Sequence, residues 1–294
     1  MEPNPYDLPI TFVDTPEKLA QVLPDWFAAN LLAVDIECSL TGFHHCAMAL
    51  VQIATHKQAW LVDPIALGPL MKPAMRALAE IHWIAHDFSG DGIVFKRLYD
   101  VIPCGVMDTM LLARALGYPQ PGLKTLARVK LGVEIPKEEQ DSNWMLRPLR
   151  PSQISYAARD AALLLPLLRQ LAEEAEARRD DPTIGPSLAR LPMEMRHLVH
   201  RIRHYRVPER HPVVEKVRAM GLGALAEQRA HRLSELRLKW GNEGDVAAVM
   251  ELGNRWILAR VQFPPKSREA LERCIPNPRF RNKRFDALWD VLGS

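Results

Sequence analysis

Residues 31–37 read Leu31-Leu32-Ala33-Val34-Asp35-Ile36-Glu37, four apolar residues running into an acid–apolar–acid triplet, with Asn30 bounding the run upstream. A near-continuous apolar run of this length implies a strand buried inside a sheet. Side chains on a strand alternate between faces, so Asp35 and Glu37 emerge together on one face. Two carboxylates side by side repel each other and lose hydration, which is costly unless a cation compensates. A strand end fraying into solvent would carry the same pair at little cost. The segment alone leaves both readings open.

Outward from this strand the pattern is a meander followed by alternation. Residues 8–13 form an entry strand, and Thr15-Pro16 supplies an N-cap and first-turn proline for a helix reaching Ala28. A polar bend over 39–45 leads to strands over 47–54 and 58–62, separated by a turn at 55–57. These short connections predict an antiparallel meander. Helices over 66–80, 91–99, 109–116 and 122–131 then alternate with strands over 82–85 and 101–106. A charged loop over 136–143 precedes a long helix over 152–177, capped by Ser152 and kinked by Pro166. The expected fold class is α/β, a mixed sheet covered on both faces. The charged, Pro- and Gly-containing stretch 178–192 is the expected linker. It divides a domain over 1–180 from a helical one over 193–294, with helices over 218–240 and 246–261.

Composition narrows the function classes. With 48% apolar and 25% charged residues the chain is of ordinary globular type. No apolar run approaches the roughly 18 residues of a membrane span, and the N-terminal MEPNPYDLP lacks a signal-peptide pattern. Cys38, Cys46, Cys104 and Cys274 show no CxxC spacing, which argues against a disulfide framework or structural zinc and for a reducing, cytoplasmic setting. The net charge of +3 conceals an asymmetry. Residues 190–294 hold 21 Lys and Arg against 12 Asp and Glu, a balance of +9; residues 1–189 hold 17 against 23, or −6. Such a division suits a cation-dependent site beside a polyanion-binding module, or simply a soluble basic helical domain.

More acids fall where this topology brings them near the first pair. Asp87 and Asp91, in His86-Asp87-Phe88-Ser89-Gly90-Asp91, follow a short strand and open a helix, where a carboxylate is also a natural cap. Asp108 sits between a strand and a helix and reads as an N-cap. Tyr156 and Asp160 share a helix face at a spacing of four. Asp35, Glu37, Asp91 and Asp160 make an oxygen-rich set suited to Mg²⁺ or Mn²⁺. Two such ions can stabilise both the attacking and the leaving oxygen in phosphodiester cleavage.

The order Asp35-Ile36-Glu37, then His86 to Asp91, then Tyr156-Ala157-Ala158-Arg159-Asp160 resembles the DEDDy family of 3′–5′ exonucleases, in particular its ribonuclease D branch. ALVQIA at 49–54, MDTMLLARALGY at 107–118 and the stretch from Ser142 to Leu168 carry the likeness further, so that it spans about residues 8–172. The resemblance implies a ribonuclease H-like fold and two divalent ions, Mg²⁺ or Mn²⁺, held by Asp35, Glu37, Asp91 and Asp160. Tyr156 would orient the attacking water, and hydrolysis would release nucleoside 5′-monophosphates from an RNA 3′ end. Asp91 fits the second motif better than Asp87. Gly92 departs from the apolar residue expected after that acid, and looser helix packing is the expected consequence.

Ribonuclease D relatives carry helical HRDC domains after the catalytic one, and residues 254–276 resemble a degenerate example. Arg279, Arg281, Lys283 and Arg284, interleaved with Phe280 and Phe285, could contact RNA phosphates while the aromatics stack on bases. A helix with solvated cations and core-facing aromatics accounts for them equally well. His44-His45 and the tryptophans at 83, 144, 240, 256 and 289 read as loop and packing residues. The leading expectation is an exoribonuclease trimming structured RNA such as tRNA precursors. The alternatives are a 3′–5′ exodeoxyribonuclease in DNA repair and a catalytically silent RNA-binding scaffold.

Overall fold

The computed structural model describes residues 6–38, 47–135, 139, 142–206, 211–242, 252–275 and 278–293, the side chains of 241–242 and 278–283 excepted. The bend carrying His44 and His45 and most of the 136–143 loop lie outside the described residues. The chain divides into two compact units, residues 1–38 with 48–205 and residues 39–47 with 206–294. The boundary falls at Tyr205, beyond the expected linker.

The first unit is built on a six-stranded mixed sheet in the order β1-β4-β3-β2-β5-β6. Its strands are β1 (Ile10–Val13), β2 (Leu31–Cys38), β3 (Met48–Ala54), β4 (Ala59–Val62), β5 (His82–Ala85) and β6 (Val106–Asp108). β2, β3 and β4 pair antiparallel, as the short turns require. β5 and β6 add in parallel beside β2, and β1 adds in parallel beside β4. The strand expected over 101–106 pairs only from Val106. Before it, Cys104 N–H bonds to Ala79 O at 2.7 Å and Gly105 O accepts from Trp83 N–H at 2.9 Å.

Alternation along β2 sorts the core into two layers. Leu32 and Val34 face α1 (Pro16–Ala28), α3 (Met71–Leu78) and α4 (Phe88–Tyr99), after the short α2 (Pro64–Leu67). There Trp26 meets Trp60 edge-on at 6.2 Å, and Trp83 meets Phe95 at 4.9 Å. Ala33 on the opposite face packs with Leu50, Ala54 and Leu61 beneath α7 (Pro151–Ala162). The helix expected over 66–80 is thus divided, with a 3₁₀ turn at Gly68–Leu70. α5 (Thr109–Ala115) and α6 (Leu123–Leu126) lead to α7, and α6 passes into a π-helical turn over Ala127–Leu131.

The helix expected over 152–177 is two helices, α7 and α8 (Leu164–Ala177), broken at Leu163. Pro166 causes the break: its ring crowds the carbonyl four residues back, that of Ala162. Ser152 is not the cap. The amide of Arg150 donates instead to Gln153 Oε1 at 3.1 Å, and Pro151 takes the first helical position. Nor is 178–192 a linker throughout, because α9 (Gly185–Arg203) opens inside it. Leu191, Met195, Leu198 and Ile202 form its buried stripe. Gly92 does not loosen packing: a Cβ there would stand 2.4 Å from Ile202 Cδ1, so the glycine is what admits α9 onto α4.

The second unit is helical: α10 (Pro212–Ala219), α11 (Ala224–Asn242), α12 (Asn254–Gln262), α13 (Arg268–Arg273) and α14 (Pro278–Leu292). The single helix expected over 218–240 is interrupted by Gly221 and Gly223, both at positive φ. Val217, Ala230, Leu233, Trp240, Ile257, Leu271 and Leu288 form its core. Among the described residues no helix is long and apolar enough to cross a membrane.

Candidate active site

Four carboxylates from three elements meet at one end of the central strand. Asp35 and Glu37 project from β2 toward the face covered by α7. α7 lies close because Ala157, Ala158 and Ala161 form its buried side. That contact places Asp160, 6% exposed, over the strand, with Tyr156 one turn earlier and half-buried. The Trp144 ring packs against Tyr156 at 6.0 Å.

Asp91 arrives by a different route. Asp108, at the end of β6, accepts from the amides of Asp87 (3.1 Å), Phe88 (3.0 Å), Met110 (2.9 Å) and Leu111 (3.3 Å). One carboxylate thereby caps both α4 and α5, as an N-cap reading of Asp108 requires. Asp87 adopts φ 56°, a left-handed turn, and its side chain accepts from Ser89 Oγ at 2.9 Å. The helix opened this way carries Asp91 in its first turn. Thr109 Oγ1 donates to Ala85 O, so the 2.8 Å contact from His86 Nδ1 is a donation into the hydroxyl. Burial holds the His86 pKa down, against smaller upward pulls from Asp108, Asp87 and the Pro121 backbone.

The electrostatics tie these groups together. Asp35 and Glu37 keep some solvent exposure but sit deep among other acids. Burial raises the Asp35 carboxyl to about 6. Glu37 is raised well above its usual range, by burial first and then by Asp35, Asp160 and Asp91. Burial and the neighbouring Asp35 lift Asp160 to about 8, against a smaller opposing pull from Tyr156 and Arg159. The Tyr156 phenol is pushed up by burial, Asp160 and Glu37, so it holds its proton. Among the described residues no three His, Cys, Asp or Glu side chains are drawn together as a metal-binding cluster. The donor set nonetheless fits a hard divalent ion, being all carboxylate, and Asp160 Oδ1 is buried with no hydrogen-bond partner.

Two features escaped the sequence reading. Arg147 donates to buried Asp63 through Nε (2.6 Å) and Nη2 (2.8 Å), and to Ala49 O at 2.7 Å. It pins the segment carrying Trp144 against β3 and β4. Gln52, directly opposite Asp35 in the β2–β3 register, is the other; a lone polar residue inside the apolar run 48–54 was its signal.

The cations expected to bind nucleic acid belong to the second unit. Arg279, Arg281 and Lys283 have side chains outside the described residues, and the Arg284 guanidinium lies over the Trp240 ring at 5.1 Å within the second unit. Phe285 packs on that unit's core, as do Trp240, Trp256 and Trp289.

Known proteins place this arrangement. Residues 10–176 match the family described as 3′-5′ exonuclease, and the chain belongs to that family. Within it the chain is ribonuclease D-like. Ribonuclease D of Pseudomonas paraeruginosa is 32% identical over 182 residues, which cover 56% of this chain and 48% of the relative. The chain thus spans about half the length of that curated relative. Among solved structures, the catalytic core of RRP6 from Trypanosoma brucei shares the fold at a TM-score of 0.67 and 22% identity, covering 97% of this chain and 79% of that one. Escherichia coli RNase D, an exoribonuclease involved in structured RNA processing, does so at 0.59 and 24%, covering 97% of this chain and 74% of that one.

Proposed function

We propose that this protein is a metal-dependent 3′–5′ exoribonuclease that removes nucleoside 5′-monophosphates from RNA with a free 3′ end, tRNA precursors among its substrates. The observation that carries the reading is the convergence of acids on Glu37, whose carboxyl is raised by burial first and then by Asp35, Asp160 and Asp91. Such a set is costly to maintain without cations, and Asp35, Glu37, Asp91 and Asp160 would hold two divalent ions, Mg²⁺ or Mn²⁺. When bound, those ions would make water more acidic and offset negative charge on the scissile phosphate. Tyr156, protonated and braced by Trp144, offers its hydroxyl to orient the attacking water rather than to take its proton. Attack at the last phosphorus breaks its bond to the 3′ oxygen of the preceding nucleotide, which leaves with a proton. Residues 1–38 and 48–205 form the exonuclease domain. The helical unit from Arg206 is HRDC-like, and Arg279, Arg281, Lys283 and Arg284 are its candidates for RNA contact. The free thiols of Cys104 and Cys274 favour a reducing, cytoplasmic setting.

The test is incubation with Mn²⁺ and matched 3′-hydroxyl RNA and DNA oligonucleotides. Stepwise release of 5′-monophosphates from RNA is expected. Faster release from DNA would shift the reading to an exodeoxyribonuclease, and no release from either would leave an RNA-binding scaffold.

A further inference from the structure

Gln52 occupies a position where chemistry alone would put an apolar residue. All seven residues of β3 are buried, and the other six are Met, Ala, Leu, Val, Ile and Ala. Gln52 is fully buried, and neither its Oε1 nor its Nε2 has a hydrogen-bond partner. Reversing the amide changes nothing, since both ends are unsatisfied. A buried amide in that condition destabilises the fold relative to a side chain of similar shape without polar atoms. A residue held at such a cost needs a partner that arrives in another state of the protein.

Register identifies that partner. Gln52 stands directly opposite Asp35 across the antiparallel β2–β3 pair, so the two side chains share a face at a Cβ separation of about 4.5–5.5 Å. The same face is covered by α7, whose Asp160 has its own buried, unpartnered Oδ1. Unsatisfied polar atoms from β3 and α7 therefore gather around Asp35. The flanking cross-strand pairs on this face, Ala33 with Ala54 and Glu37 with Leu50, supply no other side-chain donor.

We infer that Gln52 is a positioning residue for the carboxylate site, its Nε2–H donating to Asp35 when divalent ions hold that carboxylate ionised. The inference rests on the reading of Asp35, Glu37, Asp91 and Asp160 as ion ligands. An amide suits the task for a physical reason: it donates without adding charge. A lysine there would compete with the ion, and a second acid would add to the repulsion. Partners of this kind fix a ligand's orientation, and removing them typically weakens metal affinity tenfold to a hundredfold.

The test uses the full chain and the variants Gln52→Met and Gln52→Leu, which keep the volume and remove the amide. Melting is followed in EDTA, and Mn²⁺ binding by titration calorimetry without RNA. The expected pattern is a melting temperature that holds or rises, by up to about 2–4 °C, together with Mn²⁺ affinity lower by on the order of tenfold. A packing role alone would give the reverse: a lower melting temperature with unchanged affinity. Either of those two results, in both variants, overturns the inference, as does absence of Mn²⁺ binding by the unaltered protein. A protein that binds Mn²⁺ and responds to Gln52→Met but cleaves no RNA would refute the proposed activity and leave this inference standing.

Discussion

Replacing Asp160 by Asn offers a prediction in which stability and activity move in opposite directions. In the fold the Asp160 carboxyl is raised from an ordinary 3.8 to about 8 by burial and by Asp35. Each factor of ten in that proton equilibrium corresponds to about 1.4 kcal/mol, so keeping Asp160 in place near pH 7.5 costs at most about 5 kcal/mol. Much of the cost is shared with Asp35 and Glu37, which relax by taking up protons themselves. Removing one carboxylate should therefore recover about 1–2 kcal/mol, and the new amide can donate to its acidic neighbours. For a unit of this size that is a rise of roughly 2–8 °C in melting temperature in EDTA at pH 7.5. Mn²⁺ should stabilise the parent protein and have much less effect on Asp160→Asn. Release of 5′-monophosphate from a 3′-hydroxyl RNA should fall by at least about a hundredfold, the loss expected when electrostatic stabilisation of the transition state is removed. A variant that melts several degrees lower in EDTA would show that the carboxylate supports the fold. Activity within tenfold of the parent would remove Asp160 from the ligand set. Either result refutes the reasoning.

Asp91→Asn should lose hydrolysis, whereas Asp87→Asn should keep it, because Asn tolerates the left-handed turn at Asp87 and can still accept from Ser89 Oγ; the opposite outcome in the RNA assay would reassign the second motif. In EDTA the protein should lose stability as pH rises from about 4 to about 8, since the folded state keeps a proton on Asp160 that the unfolded chain has released. Saturating Mn²⁺ favours the ionised form and should flatten that slope; urea melts at successive pH values check the sign, and stability that climbs with pH in EDTA would contradict it. Truncation after Tyr205 should weaken RNA binding and shallow its salt dependence while changing turnover at saturating RNA little, because the proposed ligands all precede the cut. An unchanged salt slope would mean that the basic unit does not touch RNA.

Legibility in the sequence followed how local each signal was. The β2–β3–β4 meander was readable because apolar runs and a short turn define it within about thirty residues. The α7/α8 break was only half readable. Pro166 marks a disturbance, but the clash it makes is with Ala162, so the interruption falls at Leu163 rather than at the proline. α9 was misread for the opposite reason. Arg178–Pro192 has linker composition, and Pro186 and Pro192 argue against a helix, yet the stripe Leu191, Met195, Leu198 and Ile202 has a core to bury against. Tertiary contact outweighed local propensity there. β6 started late because the amide of Cys104, just before it, is bound to Ala79 O at the end of α3, a partner that no local window contains.

The site divides along the same line. The acids were legible as residues because carboxylates at strand ends and helix openings stand out against an apolar background, and their joint order resembles a known family. What supports them was not. Asp108 reads correctly as a cap, but nothing local says that it caps two helices and so sets the position of Asp91. Arg147 looks like one more surface cation until Asp63, 84 positions earlier, is found buried against it. Gly92 looks like a defect in α4 until Ile202 of α9 fills the space above it. In each case the deciding contact crosses between elements far apart in the chain. The same holds for Gln52, whose meaning depends on the register that sets it opposite Asp35. A one-residue slip of β3 would turn its amide to the other face and leave Asp35 facing an apolar neighbour. The carboxylates name the chemistry, but strand register and the docking of α7 and α9 decide whether they can act together.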